Sequence, residues 1–344
     1  LCGGAVLLSA GLGLSSLAES IPMLGIAFCG VAALGILLFG PLPSVALVSR
    51  WFVRRRGLAV GVAVSGATFA SAAGPALAAW LIDGWGWRVA LQAYAVGALA
   101  IAIPVFALFV IKSPEDVGQH PDGDAEAPPD VELSSEGSVF SLVVRRLDFY
   151  IIALGMALVF ASPIVSGVHL TPFAEAELGL PQTDVAPVFV VMAVCSLVGK
   201  IVFGAVVGRI PPQAALFTNV ALLAAAWALL WTRPDYTWLL VAGALFGLGI
   251  GAAGPLHAVL IGACFGRRAF GEVMGLGGLV ALPIIAGANW FAGLLHDATG
   301  HYSTVFAAEL VALALAAAMF LFLRIPSQPG AELEPPIVHE PLEA

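Results

Sequence analysis

The chain has 344 residues, 60% hydrophobic and 10% charged, with a mean hydropathy of +1.00. Soluble domains carry about 25% charged residues, so a chain this apolar lacks the polar sequence to cover a soluble surface; the composition excludes a soluble globular enzyme and points to an all-α membrane protein of many spans. The formal net charge of -8 is no single acidic face: eight acids lie between Glu115 and Glu136 and four between Glu332 and Glu343, and no basic patch suggests a nucleic-acid partner.

Ten apolar segments follow one another, at 1–18, 21–47, 58–82, 88–112, 148–172, 184–207, 213–231, 236–263, 270–295 and 303–324. Each is long enough for a helix to cross a bilayer, and too long and unalternating for a barrel strand. The chain opens on Leu1 directly inside an apolar run, with no charged leader, which is not the pattern of a signal peptide. It reads as a piece that has lost its N-terminus. Cys2, Cys29, Cys195 and Cys264 are scattered through apolar segments without metal or CxxC spacing, and read as small buried hydrophobes.

Between the second and third segments, WFVRRRGLAVGVAVSG at 51–66 places Arg54, Arg55 and Arg56 in a row, in a chain with only 14 Lys and Arg. Basic residues gather in cytoplasmic loops near span ends. With this loop inside and the sides alternating, 12 of the 14 basic residues fall on the cytoplasmic side and only Arg88 and Arg233 outside. No Lys or Arg is expected at mid-membrane depth. Asp83 and Arg88 fall in the next outer loop, and Asp297 in a later one; their expected role is loop geometry. Residues 113–147 are rich in Pro, Asp, Glu, Gly and Ser and are predicted to be a flexible acidic linker; 326–344 are predicted to be a disordered tail.

In the second half, His169 lies near the outer end of its span ahead of Pro172, as an outer-gate contact or an interfacial histidine. Gly249 to Gly254 match G-x-G-x-x-G, but inside an apolar span and without a preceding strand, so helix packing is the better reading than a nucleotide site. The same packing is expected of Gly243, Gly247 and Gly251, four apart, and of Gly57/Gly61 and Gly271/Gly275. His257 follows Pro255 inside a span. It is a substrate or proton site, or a structural histidine bonded to a carbonyl. Asn289, near the middle of its span, offers two donors and an acceptor to a substrate or to a neighbouring helix. Glu309, about two turns into the last span, is expected at the membrane interface or helix start, with proton coupling as the alternative.

Shifted by 214 residues, the chain matches itself. Leu34-Gly35 falls on Leu248-Gly249, Gly40-Pro41-Leu42 on Gly254-Pro255-Leu256, and Asp83 and Gly86 on Asp297 and Gly300. Six spans separate the copies, so both point the same way, as in the parallel halves of some transporters. Pro41 and Pro255 would kink equivalent spans, which marks a transport site. By the same offset, two further spans are expected before Leu1.

WFVRRRGLAVGVAVSG, together with LIDGWGWR at 81–88, SPEDVGQHPDG at 113–123, HLTPF at 169–173 and GLLHDATGHY at 293–302, resembles the major facilitator superfamily, and within it bacterial carriers similar to monocarboxylate transporters. The resemblance covers essentially the whole chain, from the family's span 3 to its span 12. It implies a remainder of the N-terminal helix bundle at 1–112, a cytoplasmic linker at 113–147, a six-helix C-terminal bundle at 148–325 and a cytoplasmic tail at 326–344. It also implies a cytoplasmic gate at Arg54, Arg55, Arg56, Arg209, Arg267 and Arg268, and cavity contacts at His257, Asn289 and His169. In the loop after the family's span 8, Gly208 stands where the motif has Asp, while Arg209 is kept. The implied function is secondary transport of a small organic solute, a monocarboxylate with proton coupling being the leading form, by a monomer in the plasma or inner membrane. No cofactor, metal or enzymatic activity is expected. The competing reading is a non-transporting sensor or an inactive truncated form.

Overall fold

The computed structural model describes residues 1–124, 139–207, 209–266 and 269–325. Eight helices are long and apolar enough to cross a membrane, and two shorter apolar helices, Cys2–Ser16 and Arg56–Ala70, bring the total among the described residues to 8 + 2 = 10, as the apolar segments predict. The chain divides into two compact units.

The first unit comprises Leu1–Phe52 and Val62–Ala125. Helix α1 (Cys2–Ser16) packs against a second span that is built in pieces: α2 (Ile21–Gly25), a π-helical turn (Ile26–Ala32), α3 (Ala33–Phe39) and α4 (Pro41–Trp51). Small residues set this approach. A Cβ on Gly4 would lie 2.7 Å from the Leu38 backbone, and one on Gly11 or Gly35 would overlap the backbone of Ala32 or Leu8. Membrane helices have no water-driven reason to associate, so close backbone contact through glycine supplies the packing. α5 (Arg56–Phe109) runs through two spans, and Gly86, at φ 83° and ψ 162°, carries the change of direction between them. That region of backbone space is open to glycine alone. Polar side chains stitch α1 and the turn after it to the second half of α5: Ser9 Oγ donates to the Ala95 carbonyl at 2.8 Å, and Arg88 Nη2 to that of Ala18 at 3.0 Å.

The second unit comprises Val53–Gly61 and the chain from 126 onward. The segment 53–61, expected with the first bundle, therefore packs with the second. The unit is built from a short helix α6 (Val139–Val143) and from α7 (Leu147–Leu178), α8 (Gln182–Val206), α9 (Pro212–Trp231), α10 (Tyr236–Phe265), α11 (Phe270–Thr299) and α12 (Tyr302–Leu321). Its core holds the aromatic chain Phe246, Trp227, Phe306 and Phe173, with ring centroids 4.9–5.4 Å apart between successive partners. α10 lies on α8 through a glycine row. Cβ atoms on Gly243, Gly247 and Gly251 would run into Val188, Met192 and Ser196, which are themselves four apart on α8. The packing expected of these glycines is thus met, and G-x-G-x-x-G at 249–254 lies within helix α10. Gly271 and Gly275 differ from their repeat partners: a Cβ on either meets nothing within 4 Å, whereas Gly57 and Gly61 abut Gly204 and Lys200.

The predicted flexible linker is ordered where it is described. Ser113 and Asp116 close a capping box on a 3₁₀ turn at Pro114–Val117, a second turn follows at Pro121–Gly123, and α6 lies before α7. The reason is local: Ser, Pro and Asp at these spacings satisfy the backbone themselves. Residues 125–138 and the predicted tail at 326–344 lie outside the described residues.

Candidate functional site

The clearest interruption of a span lies at Gly40-Pro41. α3 ends at Phe39, Gly40 is extended (φ -74°, ψ -154°), and α4 begins at Pro41. Proline has no N–H to give to the turn before it, and Gly40 meets the Ile36 carbonyl so closely that a Cβ would not fit comfortably. About two turns upstream, beyond α3, sits the π-helical stretch Ile26–Ala32, a form that recurs at functional sites. The repeat partner behaves differently. Pro255 lies inside an unbroken α10, so the duplicated sequence gives a break in one copy and a continuous helix in the other.

His257 lies two residues past Pro255, half-buried, with its ring 5.5 Å from that of Phe160 on α7. His169 and Asn289 come together. His169 Nε2 lies 3.4 Å from the Asn289 carbonyl, and the His169 ring is 6.0 Å from Tyr302. A carbonyl only accepts, so this contact is served by the tautomer with a proton on Nε2. His169 thereby joins α7 to α11 and α12 within one unit. The Asn289 Oδ1 is buried without a hydrogen-bond partner. His257 shares no described contact with this pair.

The three arginines part company. Arg54 and Arg55 are exposed, while Arg56 is only 6% exposed, with its guanidinium over the Phe270 ring at 5.5 Å and packed onto Gly262. A side chain on Gly262 would occupy the position of the guanidinium itself. Arg209 is exposed between α8 and α9, and Arg267, Arg268 and Gly208 lie outside the described residues. Asp83, Arg88 and Asp297, expected in outer loops, lie within helices: Asp83 is exposed on α5, Arg88 on the same helix bonds to Ala18 rather than to Asp83, and Asp297 on α11 stands 3.7 Å from His296 Nδ1.

Three features escaped the sequence. Lys200 is half-buried on α8, six residues before the helix ends at Val206, so it is a basic residue inside a span. The ends of the second unit are tied by ion pairs: Arg146 to Asp148 at 3.0 Å at one end, and Arg233 to Glu177 at 3.0 Å at the other, where Glu177 also accepts from the Tyr302 N–H at 2.7 Å. Glu309, expected at an interface, is 9% exposed and lies eighth in the 20-residue α12, within the unit. Near it, Trp227 Nε1 donates to Ser162 Oγ at 2.6 Å. Only the isolated acid in an apolar span gave any signal of this in sequence.

These features define a multi-pass helical membrane protein whose duplicated spans carry Gly-Pro at matching positions. The profile of the Major Facilitator Superfamily matches residues 1–282 and 152–342, and the chain belongs to that family. It is 33% identical over 323 residues to human monocarboxylate transporter 11, a match covering 88% of this chain and 64% of the relative. It is 25% identical over 312 residues to bovine monocarboxylate transporter 13, covering 88% and 68%. Among solved structures, the E. coli fucose:proton symporter superposes with a TM-score of 0.68 at 15% identity, over 94% of this chain and 83% of that one. The proton:xylose symporter XylE gives 0.70 at 12% identity, over 94% and 79%. The structural likenesses establish the fold. The chain spans just under two thirds of the length of its human relative.

Proposed function

We propose that this chain forms the body of a secondary active carrier that moves a small monocarboxylate together with a proton by alternating access, and that it is not an enzyme. Family membership and the names of the relatives support the class. The single observation that carries the substrate is Lys200. A carboxylate crossing the membrane needs a cation or paired donors along its path, and an ionisable group inside a span is a functional-site candidate by default. Lys200, counted among the cytoplasmic span ends by charge alone, is half-buried on α8 and supports that role. In this reading His257 takes up the coupled proton and Asn289 offers its amide to the solute. The charge pattern supports an orientation with Arg54, Arg55, Arg56 and Arg209 on the cytoplasmic side and the C-terminus there too; in this reading the protein works as a monomer in the plasma or inner membrane.

The test is uptake of radiolabelled L-lactate by proteoliposomes holding the full-length protein, acid outside. Lys200→Gln should lower uptake by about tenfold or more, the worth of one charge-assisted bond, while Lys200→Arg retains much of it. Equal uptake by wild type and Lys200→Gln would remove Lys200 from the substrate path.

A further inference from the structure

Beside α12 the second unit holds a cavity of about 410 Å³ between α7, α11 and α12. Its wall is apolar, formed by residues such as Leu158, Pro283, Phe291 and Val305, with one ionisable group, Glu309. That volume falls in the ordinary range of small-molecule sites, roughly 300–1,000 Å³. Glu309 is 9% exposed. Its polar neighbour is the Ser162 hydroxyl, whose oxygen already accepts from Trp227 and whose proton remains to be given to the carboxyl. Among the described residues no Lys, Arg or His lies within ion-pair distance of it.

The groups that could compensate Glu309 lie elsewhere. Of the elements packed on α12, α9 carries no charged side chain within its helix. On α7, Asp148 pairs with Arg146, Glu177 with Arg233, and His169 reaches Asn289 and Tyr302. On α11, His296 stacks on Tyr302 at 4.2 Å, beside Asp297. Tyr302 lies seven residues before Glu309 on α12, about 10 Å along a helix axis. A lone carboxylate at this depth is costly unless it is neutralised. The protein places an apolar cavity wall against it rather than a cation.

We propose that this cavity binds an amphipathic amine, its apolar body between α7 and α11 and its ammonium on the Glu309 carboxylate. The charge fixes the head and the volume fixes the size: one aromatic ring with a short alkyl arm. Gly287 makes the site testable, because it lines the cavity and a Cβ there meets nothing within 4 Å. Gly287→Leu therefore fills the space without displacing a helix.

The experiment measures equilibrium binding of radiolabelled 4-phenylbutylamine to the full-length protein in lipid nanodiscs. Saturable binding is expected, with Glu309→Gln raising the Kd about tenfold or more, since a charge-assisted bond is lost while shape is kept. Gly287→Leu should abolish the site, and the neutral 4-phenylbutanol should compete poorly. Thermal unfolding of each variant verifies folding, and Gly287→Leu carries the test alone if Glu309→Gln does not fold. No saturable binding to wild type, equal competition by the alcohol, or unchanged binding in a folded variant would each overturn the proposal. The assay needs no transport, so its outcome is independent of the carrier reading.

Discussion

Arg56 shows what a charge can do once it leaves the surface. Its guanidinium lies over Phe270 and against Gly262 and is almost fully buried, while its neighbours Arg54 and Arg55 are exposed. Arg56→Ala should therefore destabilise the second unit by about 1–3 kcal/mol, through the loss of a buried, well-packed side chain and its cation–π contact. Arg54→Ala and Arg55→Ala should stay within about 0.5 kcal/mol, as surface changes do. Thermal unfolding in detergent compares the three. Equal losses would contradict the division. The run of three was legible in sequence as a topological signal. Which arginine turns inward was not, because that depends on a glycine 206 residues later, at 262. Glu309 was missed for a related reason. Sequence supplied its depth in the span, but burial depends on which helices surround α12, and an apolar helix looks alike toward lipid and toward protein.

At the scale of the helix, glycine spacing gave the α8–α10 contact correctly and the α11 contact wrongly. Gly243, Gly247 and Gly251 meet α8 side by side, while Gly271 and Gly275 meet nothing within 4 Å. The repeat relates Gly57/Gly61 to Gly271/Gly275 in sequence, and duplication preserves residues more readily than neighbours. Gly247→Val should push α10 off α8 and cost about 1–3 kcal/mol, the usual penalty of overpacking. Gly275→Ala should be neutral or stabilising by up to about 1 kcal/mol, because alanine favours the helix over glycine. A Gly247→Val protein as stable as wild type would show that the helices do not depend on that approach. The Gly-Pro pairs carry the same lesson. Identical dipeptides at 40–41 and 254–255 give a break in one span and an unbroken α10 in the other. The difference lies at Gly40, which is extended in the first copy, where its counterpart Gly254 stays helical.

For the whole molecule, hydropathy alone located every apolar helix, since span length is set by the bilayer rather than by partners. Charge counting adds an expected orientation, and the 214-residue offset an expected parallel repeat. The polar interior was not legible. The ion pairs of Arg146 with Asp148 and Arg233 with Glu177 join residues near the ends of helices, and Lys200 was counted at the cytoplasmic end of a segment, 184–207, that runs past it just as α8 does to Val206. Together these features describe a member of the family whose second unit is fastened at both ends and holds a basic residue within a span. Coupled movement of proton and carboxylate is the central claim, and it is measured most directly by a pH-sensitive dye trapped inside proteoliposomes of the full-length protein. On adding L-lactate outside at equal pH, the lumen should acidify faster than in protein-free vesicles, at a rate that saturates with lactate and falls in Lys200→Gln. Acidification no faster than in protein-free vesicles, with the protein shown to be folded and inserted, would contradict it.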